Sequence, residues 1–229
     1  MSRSQKNKKK NAVPLIAYNE PKGAISEQYR LVRTNIEFSS VDEEIKLIMV
    51  TSPEPSDGKS TTAANLAIVL AQQGKQVLLV DADLRKPSIH YTFNMSNIVG
   101  LTSVLAKKVS LDTAIANSYI PNLDILTSGA IPPNPSELLN SKAMDLLLGE
   151  LRKKFDYVVF DTPPVLAVTD PQILANKCDG VVFVIYSGKT TKEKAFRAKE
   201  LLSKLKTQVL GVVVNGVELK KADFYGQYG

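Results

Sequence analysis

Gly58-Lys59-Ser60-Thr61 places a flexible backbone, an ammonium group and two hydroxyls side by side. Backbone N–H groups of such a loop wrap an anion, and a following helix adds its unpaired N-terminal donors and the positive end of its dipole. Lys59 then reaches the outer phosphates of a nucleotide, and the Ser60 hydroxyl is a ligand for Mg²⁺. With Asp57 and Thr61, these residues form the expected nucleotide cradle, Asp57 to Thr61. The match to a standard phosphate loop is incomplete, because Pro53 stands where that pattern has its first Gly. A helix-start turn with a capping Ser is the bland alternative. Acidic residues further on weigh against it. Asp81 and Asp83 close the apolar run Val77–Val80, and Asp161 closes the run Tyr157–Phe160. A carboxylate beside the loop, with Ser60 and phosphate oxygens, meets the demand of Mg²⁺ for a few hard oxygen ligands. Asp161 is expected in that role, with Asp83 supporting the metal or its waters. A second carboxylate can accept a proton from an incoming hydroxyl, and Asp81 is expected as that base. Any one Asp could merely cap its strand; the three together with Gly-Lys-Ser read as one site.

The elements needed to bring these groups together are legible in the apolar patterning. Continuous apolar runs at 46–52, 76–81, 155–161, 180–186 and 209–215, with a shorter one at 123–127, read as strands buried on both faces. Helical patterns at 24–39, 58–73, 136–154, 169–177 and 191–206 alternate with them. Gly74 ends the second helix, and Pro135-Ser136-Glu137 suits the first turn of the third. Residues 88–122 are less regular, with short helical pieces near 101 and 110–117. Alternating strands and helices predict an α/β fold in one domain: a doubly wound, mainly parallel sheet with helices on both faces. Ligands in such sheets bind beyond the carboxyl ends of the strands, where all the acidic strand ends lie. The expected organisation is a flexible basic tail at 1–20, the domain at 21–217, and a polar tyrosine-containing tail at 218–229.

Composition narrows the class. The 229 residues are 44% hydrophobic, enough for a core, with a formal net charge of +6. The single Cys178 makes no internal disulfide, which points to the cytoplasm. No apolar run approaches the ~20 residues of a membrane span. His90 is the only histidine, so a His-rich metal site or a Ser-His-Asp triad has little to build on. Arg3, Lys6, Lys8, Lys9 and Lys10 form a short basic run, either solvated or suited to an anionic membrane face or acidic partner. No basic stripe interleaved with aromatics signals nucleic acid. Glu27, Arg30 and Arg33 recur at helical spacing, as a surface ion pair or as a charged face for a neighbouring subunit. Arg85 and Lys86 could offset phosphate charge, meet an acidic partner, or be solvated.

The combination of Gly58-Lys59-Ser60-Thr61, Val80-Asp81-Ala82-Asp83-Leu84-Arg85-Lys86-Pro87, and Phe160-Asp161-Thr162-Pro163-Pro164 resembles the bacterial tyrosine kinases, members of the deviant P-loop ATPases. Ile131-Pro132-Pro133-Asn134-Pro135-Ser136-Glu137-Leu138-Leu139 and Glu27-x-x-Arg30-x-x-Arg33 are similar to that family too. The resemblance runs from about residue 20 to the C-terminus. It implies ATP- and Mg²⁺-dependent phosphorylation of tyrosine in protein substrates, with Lys59, Asp81 and Asp83 catalytic. It implies Tyr225 and Tyr228 as autophosphorylation sites, and Glu27, Arg30 and Arg33 as contacts in a homo-oligomeric ring. It further implies a role in capsular or exopolysaccharide synthesis and a tyrosine phosphatase as counterpart. In Gram-positive members the kinase is a separate cytoplasmic chain, recruited to the membrane and activated by the cytoplasmic tail of a membrane adaptor. Ser56 departs from the Gly usual in the family's loop, and Gly tolerates backbone angles that Ser does not. The tail, with Tyr225 and Tyr228 alone near its end, is also poor in tyrosine. A rival reading is a switch ATPase of the division-site or partition type, and another is an ATP-dependent assembly protein. The switch ATPases carry a lysine early in the loop where this chain has Glu54.

Overall fold

A computed structural model describes residues 12–39 and 44–218. Its strands form a seven-stranded sheet in the order β3-β4-β2-β5-β1-β6-β7. The strands are β1 (Leu47–Thr51), β2 (Val77–Asp81), β3 (Ala116–Asn117), β4 (Leu123–Leu126), β5 (Tyr157–Asp161), β6 (Gly180–Tyr186) and β7 (Gln208–Asn215). All neighbours are parallel except the short edge pair of β3 with β4. The doubly wound, mainly parallel sheet expected from the sequence is therefore present. The two-residue β3 has no apolar pattern to reveal it; its pairing with β4 is a tertiary event.

The helices are α1 (Ile16–Asn19), α2 (Ala24–Ser39), α3 (Lys59–Ala71), α4 (Ile89–Thr92), α5 (Leu101–Leu105), α6 (Leu111–Ala114), α7 (Pro135–Leu139), α8 (Lys142–Lys154), α9 (Asp170–Ala175) and α10 (Lys192–Ser203). Alternate residues of each central strand feed two cores. Leu47, Met49, Leu78, Val80, Val158 and Phe160 pack on one side with α8 residues Met144, Leu147 and Leu151. Ile48, Val50, Leu79, Val159 and Val182 pack on the other with α3. Strand side chains alternate faces, so runs apolar at every position need a core on each side. Helix α3 is buried almost all round, from Thr62 through Ala71, which holds the loop before it rigidly against the sheet.

Two expectations are corrected. The sequence predicts a flexible tail over 1–20, yet Leu15 and Ala17 are buried in the second core. The Ala17 N–H donates to Asn65 Oδ1 at 2.8 Å, and Asn65 Nδ2 returns a bond to the Pro14 carbonyl at 2.9 Å. Asn65 on α3 thus pairs with main-chain groups of this segment, a contact that local sequence cannot announce. The helix expected at 136–154 is two helices. Ser141 accepts from Met144 N–H and starts α8 as an N-cap, so α7 stops before it.

Candidate active site

The geometry of the sheet brings the chemistry together. In the parallel register Asp81 of β2 lies directly beside Asp161 of β5, and Asp161 beside Val50 of β1. The loop from Ser52 to Gly58 follows β1, so the acidic strand ends converge on its lysine. Lys59 Nζ donates to Asp83 Oδ2 at 3.0 Å, to Asp161 Oδ1 at 3.3 Å and to Ser60 Oγ at 3.2 Å. Asp81 and Asp161 are fully buried, and Asp83 and Lys59 nearly so. Lys59 is thereby paired with carboxylates 24 and 102 positions away in sequence.

Its electrostatics are set by having more carboxylates than ammonium groups. Burial alone would lower the Lys59 pKa, but Asp161 and Asp83 beside it more than offset this and hold it above the ordinary lysine value. Asp81 makes no contact with the ammonium. Burial first, and the neighbouring Asp161 charge second, push it up to about 8, against the Ile89 N–H bond and the Lys59 charge. Burial also raises Asp161, with Lys59 and the Ser60 hydroxyl opposing it. Among the described residues, Asp81 Oδ1 and Asp161 Oδ2 are buried with no hydrogen-bond partner. Such orphaned oxygens are costly unless something positive completes the site. The Asp161 oxygen, on a carboxylate that also meets Lys59, fits a divalent cation, whereas the raised pKa of Asp81 lets its carboxyl keep a proton. No group of three or more His, Cys, Asp or Glu that could hold a metal occurs among the described residues.

The loop itself is braced from within. Gly58 has φ +93°, a conformation costly to any residue with a Cβ, and a Cβ there would lie 2.2 Å from Asn215 Nδ2. Asn215, at the end of β7, donates to the Asp57 carbonyl at 3.1 Å and to Thr62 Oγ1 at 3.3 Å. Ser56 adopts φ +64°, the left-handed region for which Gly is the ordinary choice, so the chain keeps the glycine-type turn despite the substitution. The Asp57 side chain is fully buried: Oδ2 accepts from Glu54 N–H at 3.0 Å and Oδ1 from Lys189 Nζ at 2.9 Å. It braces the loop, leaving the main chain of Asp57 for any phosphate contact. Glu54, at the position of the switch ATPases' lysine, accepts from Lys194 Nζ at 2.6 Å.

A cavity of about 1080 Å³ opens over these groups. Gly58, Lys59, Ser60, Thr61 and Asp83 line it, as do Arg85, Lys86, Tyr91, Ile131 and Pro164. Asp81, expected as the base, lies behind this wall. Its Oδ2 accepts from the N–H groups of Ser88 and Ile89, both at 3.0 Å. Asp83 faces the cavity, and its Oδ1 holds the Lys86 N–H at 3.0 Å. Arg85 is not solvated freely: Nε and Nη2 donate to Asp170 Oδ2 and Oδ1 at 2.8 and 2.9 Å, and the Ser136 hydroxyl joins them. This ties the loop after β2 to the start of α9 and to the first turn of α7.

The remaining expected residues are elsewhere. Glu27 and Arg30 pair on the outer face of α2, while Arg33 turns inward and donates to the Val69 carbonyl at 3.0 Å. Tyr225 and Tyr228 lie outside the described residues. Sequence reasoning missed Lys189, Asn215 and Asp170, and read Ser136 only as part of a helix start and of the proline-rich phrase. Asn215 ends an apolar strand as the three aspartates do, and that signal could have found it. Lys189 had none.

Known proteins fit this geometry. The family model described as an AAA domain matches residues 45–208. The chain is 57% identical over 228 residues to the tyrosine-protein kinase YwqD of Bacillus subtilis (strain 168), covering 100% of this chain and 93% of that one. It is 40% identical over 224 residues to the putative tyrosine-protein kinase CapB of Staphylococcus aureus, covering 97% and 98%. The crystal structure of the chimerical protein CapA2B2 superposes with a TM-score of 0.87 at 43% identity, covering 90% of each chain.

Proposed function

This chain belongs to the bacterial tyrosine kinases of the Gram-positive capsule type, and on that premise we propose how its buried cluster serves phosphoryl transfer. It is an ATP-using protein-tyrosine kinase that regulates capsule or exopolysaccharide synthesis. The observation that carries the mechanism is Lys59 Nζ held between Asp83 and Asp161 at the mouth of a glycine turn.

The backbone of Asp57–Thr61 and the N-terminus of α3 cradle the β- and γ-phosphates of ATP. Lys59 exchanges part of its carboxylate contact for the phosphates, where its charge offsets that developing on the transferred group. Ser60, Asp83 and Asp161 would hold Mg²⁺, which when bound neutralises phosphate charge. The acceptor tyrosine enters the same cavity along the wall formed by Arg85, Lys86, Tyr91 and Ile131. Its hydroxyl oxygen forms the new bond to phosphorus as the bond to the ADP oxygen breaks, and its proton passes to Asp83, the carboxylate that faces the cavity, rather than to Asp81. Asp83 faces the cavity, and Asp81 is a second buried carboxylate behind it. Tyr225 and Tyr228 are the acceptors within this chain. Tyr29 is buried, which argues against it.

Helix α2 is proposed as a subunit contact in a ring. The Glu27–Arg30 pair is on the surface of a helix that also exposes the large apolar side chains of Ile25, Leu31 and Phe38. No helix among the described residues is long and apolar enough to cross a membrane. The match to the chimerical CapA2B2 supports association with a membrane adaptor, whose cytoplasmic tail would recruit the chain to the inner membrane face. A tyrosine phosphatase would reverse the modification. Incubating the purified chain with Mg-ATP, with and without candidate adaptor tails, tests this reading. Phosphotyrosine on the chain supports it; phosphate release without phosphotyrosine under every condition overturns the kinase mechanism in favour of a switch ATPase.

A further inference from the structure

Lys189 lies in the turn between β6 and α10, 130 or so residues from the loop it touches. Its Nζ donates to the Pro55 carbonyl at 2.6 Å and to Asp57 Oδ1 at 2.9 Å. These acceptors flank Ser56, whose φ of +64° is the strained point of the loop. A side-chain-bearing residue stays in that region only when its surroundings over-determine it. The Asp57 carboxylate is fully buried, so its attraction for the ammonium is screened far less than that of a surface pair. By contrast Lys194 and Glu54 are both partly exposed and form a weaker tie.

We infer that Lys189 is a positioning residue for nucleotide binding: by clasping both sides of Ser56 it holds the phosphate loop in its glycine-type turn without the glycine. The inference rests on the reading of this loop as the ATP cradle, and it assigns Lys189 no contact with substrate. It accounts for how a chain with Ser at this position keeps a loop shape that ordinarily needs Gly. The two features are then linked: the lysine matters because Ser56 has a side chain.

The test is titration of the full chain with a fluorescent ATP analogue in the presence of Mg²⁺. Lys189→Met is expected to weaken binding about tenfold, the scale of one charge-assisted hydrogen bond lost from the bound geometry. Lys189→Arg should keep most of the affinity. Adding Ser56→Gly to Lys189→Met should restore affinity, because Gly adopts the turn unaided. Recovery of that kind is not expected of a lysine that merely stabilises the fold. Binding by Lys189→Met within twofold of the unsubstituted chain overturns the inference. So does weakened binding that Ser56→Gly leaves uncorrected, which would make Lys189 a direct phosphate ligand. If the unsubstituted chain fails to bind the analogue, the reading of the cradle falls and the inference with it. Lys189 is partly exposed, so the variant is expected to fold. A Lys189→Gln chain provides the same comparison if it does not.

Discussion

Gly58 and Asn215 are predicted to be coupled. Replacing Gly58 by Ala imposes a Cβ at φ +93°, which costs about 1–2 kcal/mol for a left-handed residue. The same Cβ would lie 2.2 Å from Asn215 Nδ2, so the amide must move. Moving it breaks its bonds to the Asp57 carbonyl and Thr62 Oγ1. At about 0.5–1.5 kcal/mol each, these add roughly 1–3 kcal/mol. Gly58→Ala should therefore cost about 2–5 kcal/mol, less the roughly 0.4–1 kcal/mol that Ala returns by restricting the unfolded chain. Asn215→Ala alone should cost the two bonds, about 1–3 kcal/mol. In the double variant there is no amide left to displace, so adding Gly58→Ala to Asn215→Ala costs only the backbone strain. The cycle should thus be non-additive by about 1–3 kcal/mol, the double variant being more stable than the sum predicts. Urea unfolding of the four proteins, with slopes compared to confirm a common transition, measures this. Additivity within about 0.5 kcal/mol would refute the steric reasoning and leave Gly58 as a purely conformational requirement.

Lys59→Met should abolish phosphotyrosine formation in the full chain. It should also destabilise the fold by about 3–5 kcal/mol, because it strips the counter-ion from buried Asp83 and Asp161; an anti-phosphotyrosine blot and a melting curve read the two effects. Arg85→Ala should cost about 1–2 kcal/mol near neutral pH, its charge-assisted bonds being discounted for the exposure of Arg85. Burial would raise the Asp170 carboxyl, but Arg85 and Ser136 bonds overcome this and depress it. A depressed acid stabilises above its unfolded pKa, near 3.9, and loses that contribution as pH falls through its folded value. The gap between wild type and Arg85→Ala should accordingly be constant from pH 5 to 7, begin to narrow below about pH 3.9 and go on narrowing as pH falls through the folded value; a gap that does not narrow at all below pH 3.9 would contradict the assignment. Arg30→Ala should disperse the proposed ring with little loss of melting temperature, since its ion pair with Glu27 is a surface one, whereas Arg33→Ala removes a bond to Val69 and should also lower stability. Light scattering with unchanged mass for Arg30→Ala would reduce the α2 face to a plain surface. Tyr225→Phe with Tyr228→Phe should remove most of the autophosphorylation, which phosphopeptide mapping checks.

The amino-acid sequence by itself determined the alternation of buried strands and helices, and with it the parallel sheet. Runs such as Val77–Val80 and Val158–Phe160 are apolar at every position, and only a sheet covered on both faces buries them. The strand-end carboxylates and Gly58-Lys59-Ser60 were legible for the same reason: each is fixed by its own short stretch, and the sheet delivers all the strand ends to one edge. Tertiary structure alone decided what these groups do to one another. It placed Asp81 beside Asp161 across a strand pair, and so raised Asp81, because register is a relation between stretches. It turned Asp57 inward, moved Asp81 behind the cavity wall and folded residues 13–20 onto α3. It brought Lys189 and Asn215 to the loop, and Asp170 to Arg85, over separations at which no spacing rule operates. Local chemistry chooses an element; only packing chooses its neighbours, and here the neighbours set the charge and shape of the site.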